Sequence, residues 1–349
     1  MLYKLLRPLL FALPPHTAHA LGTLSLAPLE YLGPVRALVR VFCTQKSGGV
    51  DLMGLHFPSP VGLAGGFDKN ATRARALAAL GFGFVELGTV TAEAQAANPM
   101  PNMFRLPADH ALVNRLGFPN EGAKAVCARI ESRGGARVLG VPLAVSIGKS
   151  RSVDVEDRTA VLADYATSFR HAHRVADFVV VNVSSPNTKN LRALQGADAA
   201  KLLLDFLSKE NAPKKPLLLK IAPDMDEDSL QALLSVVKAS GIDGVIATNT
   251  TIARKELQTP AARVAEIGAG GLSGAPLRPR ALEVVRKARI ALGPDAVVIG
   301  VGGIEHASHA RALMEAGANL VQLYTGFIYE GPGLPGRLAR ELCEMKARS

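Results

Sequence analysis

Eight short apolar runs recur after residue 50, at 61–64, 84–88, 141–147, 178–183, 217–221, 244–248, 297–301 and 319–323. Their spacing constrains the fold more than any other feature. Most are continuous rather than alternating, as suits parallel strands covered on both faces. Between them lie Ala-, Leu-, Arg- and Glu-rich stretches of helical character, such as 71–80, 121–132, 157–174, 226–240 and 305–316. Eight βα units predict an α/β fold, a closed (β/α)8 TIM barrel. A doubly wound open sheet is the alternative, but no GxGxxG follows the first run. The length of 349 residues allows two domains or one large barrel.

In a barrel of this kind the functional groups sit where the strands end. Here the ends read Gly65-Gly66-Phe67-Asp68-Lys69, Gly88-Thr89, Ser146-Ile147-Gly148-Lys149 and Asn182 to Thr188. Lys220, Thr248-Asn249-Thr250, Gly302-Gly303 and Tyr324-Thr325 follow. Gly-rich segments at 270–274 and 300–303 are placed on the late strands, where such loops hold phosphate groups. Asn114, Asn182, Asn187 and Asn249 offer donors and acceptors together, able to read a planar imide such as a pyrimidine ring. Asn also suits turns and caps. Lys220 interrupts the apolar run LLLKI. It either snorkels at a strand end or sits beside a group that becomes anionic, such as a reduced flavin. Lys69 poses the same choice, with Asp68 as a neighbour that merely pairs with it.

Ahead of the barrel, Leu2, Leu5, Leu6, Leu9, Leu10 and Leu13 lie on one helical face, with Pro8 either kinking it or opening a shorter helix. Further apolar segments run from 18 to 32 and from 35 to 42, flanked by Lys4, Arg7, Arg36 and Arg40. The apolar segment between Pro8 and Pro14 is too short for a secretory signal. No stretch reaches the length of a membrane span. Two readings stand: an arm packed on the barrel, or an amphipathic element in a membrane interface. The net charge is +10, but the basic residues are scattered. No basic run with interleaved aromatics marks a nucleic-acid surface, so no nucleic-acid partner is expected. Cys43, Cys127 and Cys343 are far apart, without CxxC or histidines at ligand spacing. That argues against disulfides and against a metal site. The histidines at 171, 173, 306 and 309 are expected on helix surfaces.

The stretches GGFDKN, NRLGF, VNVSSPNT, LKIAPD, ATNTT, GGLSG, GVGGI and LVQLYTGFIYEGP, in that order, resemble dihydroorotate dehydrogenases of the membrane-associated, quinone-dependent class. RPLLFALPPHTAHAL resembles that class's N-terminal extension, and the likeness covers nearly the whole chain. It implies an extension over 1–45 and a barrel over 46–349. It further implies an FMN enzyme that oxidises dihydroorotate to orotate in pyrimidine synthesis, a base taking the C5 proton while a hydride leaves C6 for flavin N5. The base falls on Ser185. Substrate contacts fall on Lys69, Asn114, Arg115, Leu116, Gly117, Phe118, Asn182, Asn187, Asn249 and Thr250. Flavin contacts fall on Gly65, Gly66, Phe67, Asp68, Lys69, Thr89, Ser146, Asn182, Lys220, Thr248, Gly274, Gly303, Tyr324 and Thr325. The extension would form a tunnel for ubiquinone or menaquinone, with His19 and Arg105 as its polar residues. The enzyme would sit on a lipid bilayer surface, at the cytoplasmic side of a bacterial cell membrane.

Four positions depart from the pattern. Ser146 stands where Asn is usual, Pro119 follows NRLGF where Asn is usual, Asn102 replaces a common Arg near the tunnel surface, and Gly65 replaces Ala. None removes a catalytic group. Other flavin barrels, such as dihydropyrimidine or dihydrouridine reductases, are the first rival, and they usually carry a cysteine acid. A non-catalytic flavin or pyrimidine sensor is the second.

Overall fold

The computed structural model describes residues 2–44 and 48–347. The expected boundary at 45/46 lies outside the described residues. The eight runs form eight parallel strands: Val61–Leu63, Phe84–Val90, Leu143–Ile147, Phe178–Asn182, Leu217–Ile221, Gly244–Ala247, Val297–Val301 and Leu320–Leu323. They close into one barrel in sequential order, the eighth pairing with the first. The open sheet is thereby excluded.

Side-chain parity divides each strand between two environments. Val85 and Leu87, Val179 and Val181, and Leu217, Leu219 and Ile221 point outward into the core shared with the helices. Phe84, Phe178, Val180, Leu218, Ile299 and Leu320 point inward and pack with Phe57. Phe57 belongs to an antiparallel hairpin, Val50–Leu52 with Leu55–Phe57. Its ring meets Phe84 edge-on at 5.4 Å between centroids. The lower interior is therefore solid hydrocarbon, and space remains only toward the strand C-termini.

One placement differs from expectation. Residues 270–274 are not the end of a barrel strand. Gly271–Gly274 pairs antiparallel with Ala111–Asn114, which pairs in turn with Met103–Leu106. Asn114 thus reaches the barrel mouth from this three-stranded sheet. A glycine-rich segment looks alike in either setting.

The N-terminal segment forms four helices, α1 (Leu2–Ala12), α2 (Pro15–Ser25), α3 (Ala27–Tyr31) and α4 (Gly33–Cys43). Pro8 lies inside α1, and a proline opens each of the other three. The two halves of this arm are held in different ways. The α3–α4 half packs on α5 (Ala74–Ala79), with Leu26, Leu29 and Val39 against the barrel's outer core. Glu30, 1% exposed, joins them: one carboxylate oxygen accepts from the Ala76 amide at 3.1 Å, the other from Arg133 at 3.2 Å. Tyr31 lies under both the Arg73 and Arg133 guanidiniums. The α1–α2 half is held by polar contacts instead. Tyr3 donates to the Ile328 carbonyl, Arg7 to that of Tyr329 at 3.0 Å, and Lys4 pairs with Glu330. Leu5, Leu6, Leu9, Leu21 and Leu24 of this half are exposed, Leu5 at 73% and Leu9 at 69%. No helix among the described residues is long and apolar enough to cross a membrane.

Glu30→Ala leaves the Ala76 amide and Arg133 without their carboxylate. Because Arg133 is partly solvated, the expected loss is about 2 kcal/mol in urea unfolding. A loss under about 0.5 kcal/mol would mean that this contact does not fasten the arm.

Candidate active site

Above the hydrocarbon floor the inward positions turn polar. Two residues after Phe84 comes Glu86, two after Leu218 comes Lys220, and two after Leu320 comes Gln322. Lys220 Nζ lies 3.2 Å from Glu86 Oε1 and 3.4 Å from Oε2, with the carboxylate fully buried. Gln322 Nε2 donates to Glu86 Oε2 at 2.8 Å, and Gln322 Oε1 is buried without a partner. These three line or underlie the main cavity, which opens at the strand C-termini.

Around the wall the side-chain amides and hydroxyls form one chain. Asn249 Nδ2 donates to Ser184 Oγ at 2.9 Å, and Ser184 Oγ to Asn182 Oδ1 at 2.9 Å. Asn182 Nδ2 donates to Thr89 Oγ1 at 2.9 Å, and Thr89 Oγ1 lies 3.0 Å from Ser146 Oγ. Across the mouth Asn187 Nδ2 donates to Asn114 Oδ1 at 3.1 Å. All four asparagines line one cavity. Ser185 is 5% exposed, and its Oγ accepts the Asn187 amide N–H at 3.2 Å. Lys69 Nζ donates to the Gly66 carbonyl, and burial lowers its pKa to about 8, an effect that Asp68 partly opposes.

Leu116, Gly117, Phe118, Gly65, Gly66, Thr248, Thr250, Gly274, Gly303, Tyr324 and Thr325 also line this cavity. Phe118 adopts a left-handed backbone (φ 55°) and Pro119 follows it. The loop beyond is ordered by Asn120, whose Oδ1 accepts from the Thr91 and Gly122 amides. Gly326 has a strict reason to be glycine, since a Cβ there would lie 1.9 Å from the Ile304 carbonyl oxygen. That close approach brings the loops after the seventh and eighth strands together beside Gly303.

Four expected contacts lie off the cavity wall. Arg115 points outward, where its guanidinium donates to the carbonyls of Pro101, Ile267 and Ala269 and covers Phe104. It follows Asn114 on an extended segment, and neighbouring residues face opposite ways. Asp68 is turned into its own loop, where its carboxylate caps the Thr72 and Arg73 amides rather than pairing with Lys69. Ser146 sits behind Thr89. Phe67 stands behind Tyr324, edge-on at 5.8 Å, and meets His19 on its other side at 5.9 Å. Burial, with Lys69 and His16 nearby, lowers the His19 pKa. Arg105 is occupied at the end of α1, donating to the Leu10 carbonyl at 2.9 Å and to that of Leu13, and it covers Phe11. Asn102 is not at the surface. It is buried and donates to the Asn98 carbonyl at 2.6 Å.

Three further residues adjoin the cavity-lining segments. Glu86 was hidden in the apolar run FVELG, where a lone carboxylate is the signal. Thr188, three residues past Ser185, has a buried hydroxyl without a partner. Arg192 forks to three strand ends, donating to the Ser184 carbonyl at 2.9 Å, Asp224 at 2.8 Å and the Thr250 carbonyl at 2.9 Å.

The donor set fits a phosphorylated flavin. A glycine-lined cleft lies beside Gly303 and Gly326, a cation and an unpartnered amide oxygen face the floor, and amides ring the mouth.

Comparison with known proteins points the same way. The dihydroorotate dehydrogenase family model matches residues 49–345. A protein of Nocardioides sp. named dihydroorotate dehydrogenase (quinone) is 50% identical over 321 residues, covering 88% of this chain and 89% of the relative. One of the same name from Thermobifida fusca is 44% identical over 355 residues, covering 100% and 93%. The crystal structure of the Eimeria tenella dihydroorotate dehydrogenase in complex with ferulenol superposes with a TM-score of 0.81 at 31% identity, covering 96% of this chain and 92% of that one.

Proposed function

The chain belongs to the dihydroorotate dehydrogenase family, and on that premise we propose that it oxidises (S)-dihydroorotate to orotate in pyrimidine synthesis, with FMN as first electron acceptor and a membrane quinone as last. The observation that carries this reading is the convergence of Ser185, Lys69 and four asparagines on one cavity with Lys220 at its floor. FMN supplies the acceptor for the two electrons that leave the substrate ring. The remaining work falls to the chain's own side chains.

Asn114, Asn182, Asn187 and Asn249 orient the ring's N–H and C=O groups, and Lys69 attracts the carboxylate. Ser185 Oγ takes the C5 proton as its own hydroxyl proton is passed on, and the Asn187 amide N–H stabilises the negative charge that the departing hydroxyl proton leaves on the oxygen. The unpartnered Thr188 hydroxyl is the next station for that proton. Arg192 keeps the Ser184–Ser185 and Thr250 segments in register. Lys220 and Gln322 would hold the flavin ring, and the loops at Gly303 and Thr325 would hold its phosphate. Tyr324, Phe67 and His19 form a line of rings from the cavity to α2, which we assign as the route to quinone. Arg105 holds the tunnel's second wall through α1.

Residues 1–45 act as the quinone-binding arm and 46–349 as the barrel. The outward leucines of α1 and α2, with Lys4 and Arg7 directed at the protein, invert the usual polarity of a surface helix. An apolar medium on that face satisfies them. We place the protein peripherally on a lipid bilayer, on the cytoplasmic face of a bacterial membrane.

Ser185→Ala should retain flavin and slow its anaerobic reduction by dihydroorotate by about 10²–10⁴-fold, read by stopped-flow absorbance. Reduction at near-normal rate removes Ser185 as the base. Lys69 is cationic below about 8 and neutral above. Orotate binding should therefore weaken as pH rises through that range, and Lys69→Met should flatten the profile. An unchanged slope in the variant would detach Lys69 from the substrate. Removal of residues 1–25 spares the Glu30 clamp. It should leave reduction by dihydroorotate intact and abolish oxidation by a long-chain quinone. Full quinone turnover in that truncation would sink the tunnel.

A further inference from the structure

We propose that Glu86 is a positioning residue that sets the cofactor's reduction potential, acting through Lys220 and Gln322. The inference rests on the functional reading above. The fully buried Glu86 carboxylate at the cavity floor touches Lys220 with both oxygens and takes the Gln322 amide on one of them. Stability alone is a poor reason for this arrangement. Replacing a buried ion pair with well-packed hydrocarbon is often neutral or favourable, and the layer just below consists of Phe84, Phe178, Leu218 and Leu320.

Two consequences reach the cavity. First, the Lys220 charge is compensated before any ligand arrives. Two electrons and one proton leave the flavin ring with one net negative charge, which an uncompensated Lys220 would stabilise strongly. Glu86 opposes that stabilisation, so the reduced ring stays willing to give its electrons to quinone. Second, a carboxylate only accepts hydrogen bonds. It therefore fixes the Gln322 amide with Nε2 toward itself, which leaves Oε1 as the buried, unpartnered acceptor in the wall.

Gly65 makes room for this geometry. A Cβ at position 65 would lie 2.2 Å from Glu86 Oε1 and 2.7 Å from its Cδ. An alanine there must push the carboxylate off its partners. The glycine, noted above as a departure from the usual Ala, is thus tied to how closely Glu86 meets Lys220.

The test is the flavin midpoint potential of the full-length holoenzyme, measured by dye-mediated anaerobic titration. Glu86→Gln keeps the shape and removes the charge. It should favour the reduced flavin at least tenfold over wild type, about 30 mV upward for a two-electron couple. Gly65→Ala keeps the charge and displaces it, and should move the potential the same way by less. A potential that is unmoved or lowered in either flavin-loaded variant overturns the proposal. If Glu86→Gln does not hold flavin, Gly65→Ala decides alone. A wild-type protein without flavin, or one whose flavin dihydroorotate does not reduce, overturns the functional reading and this proposal together. A wild type that behaves as expected beside unmoved variants overturns only this one.

Discussion

Strand parity inside a closed barrel is the constraint on which the rest of this molecule depends. A side chain on a barrel strand points in or out according to whether its position is odd or even, and the stagger between strands sets which inward positions come level. Phe84, Phe178, Leu218 and Leu320 therefore fall in one inward layer. Glu86, Lys220 and Gln322, each two residues later, fall in the next. The chemistry changes from hydrocarbon to charge over one repeat of the strand. A one-residue slip in any of these strands would bury its polar member among the outer helices and drop an aliphatic side chain into the cavity. The core and the site are thus a single specification, and the hairpin carrying Phe57 completes it by sealing the end that has no use for a mouth.

The same logic explains why the barrel was legible in the sequence and the exact wall was not. Buried parallel strands are apolar on both faces, so they stand out as runs, and all eight appeared where the runs lay. Residue type at the strand ends located the cavity as a whole. It could not assign sides where the chain leaves the barrel. Asn114 and Arg115 are adjacent, yet one lines the cavity and the other braces the 267–269 segment. Asp68 and Lys69 are adjacent, yet the carboxylate caps its own loop. Residues 271–274 are the clearer miss. Their antiparallel partner is more than 150 residues upstream, and nothing local in GGLSG distinguishes that pairing from a barrel strand's end. The resemblance to a known family named these residues as a group, and the geometry brings most of them to one cavity while setting Arg115, Asp68 and Ser146 off its wall.

The arm shows how one sequence pattern can satisfy two opposed demands. The α3–α4 half is bound as a core element is bound, with a buried carboxylate and aliphatic contacts. The α1–α2 half is bound by its polar atoms and presents its leucines outward. A helical face of regular leucines does not itself say whether it meets protein or lipid, which is why both readings stood open at the level of sequence. The partners of Tyr3, Lys4 and Arg7 decide the orientation, and all three lie on the last turn of the helix Thr325–Glu330.

That helix begins where the eighth strand ends, at the residues assigned to the flavin phosphate. The arm is therefore anchored at one end to the element that would seat the cofactor. At its other end it is clamped to α5, the first helix after the Gly65–Lys69 loop. Phe67 stands between the two, touching Tyr324 on the cavity side, Phe327 on the helix and His19 on the arm. Phe327 is itself packed on Phe82 in the core, so this contact ties the arm to the barrel. Phe67 thus stands behind the cavity wall, and one aromatic contact joins Tyr324, the helix of Phe327 and α2.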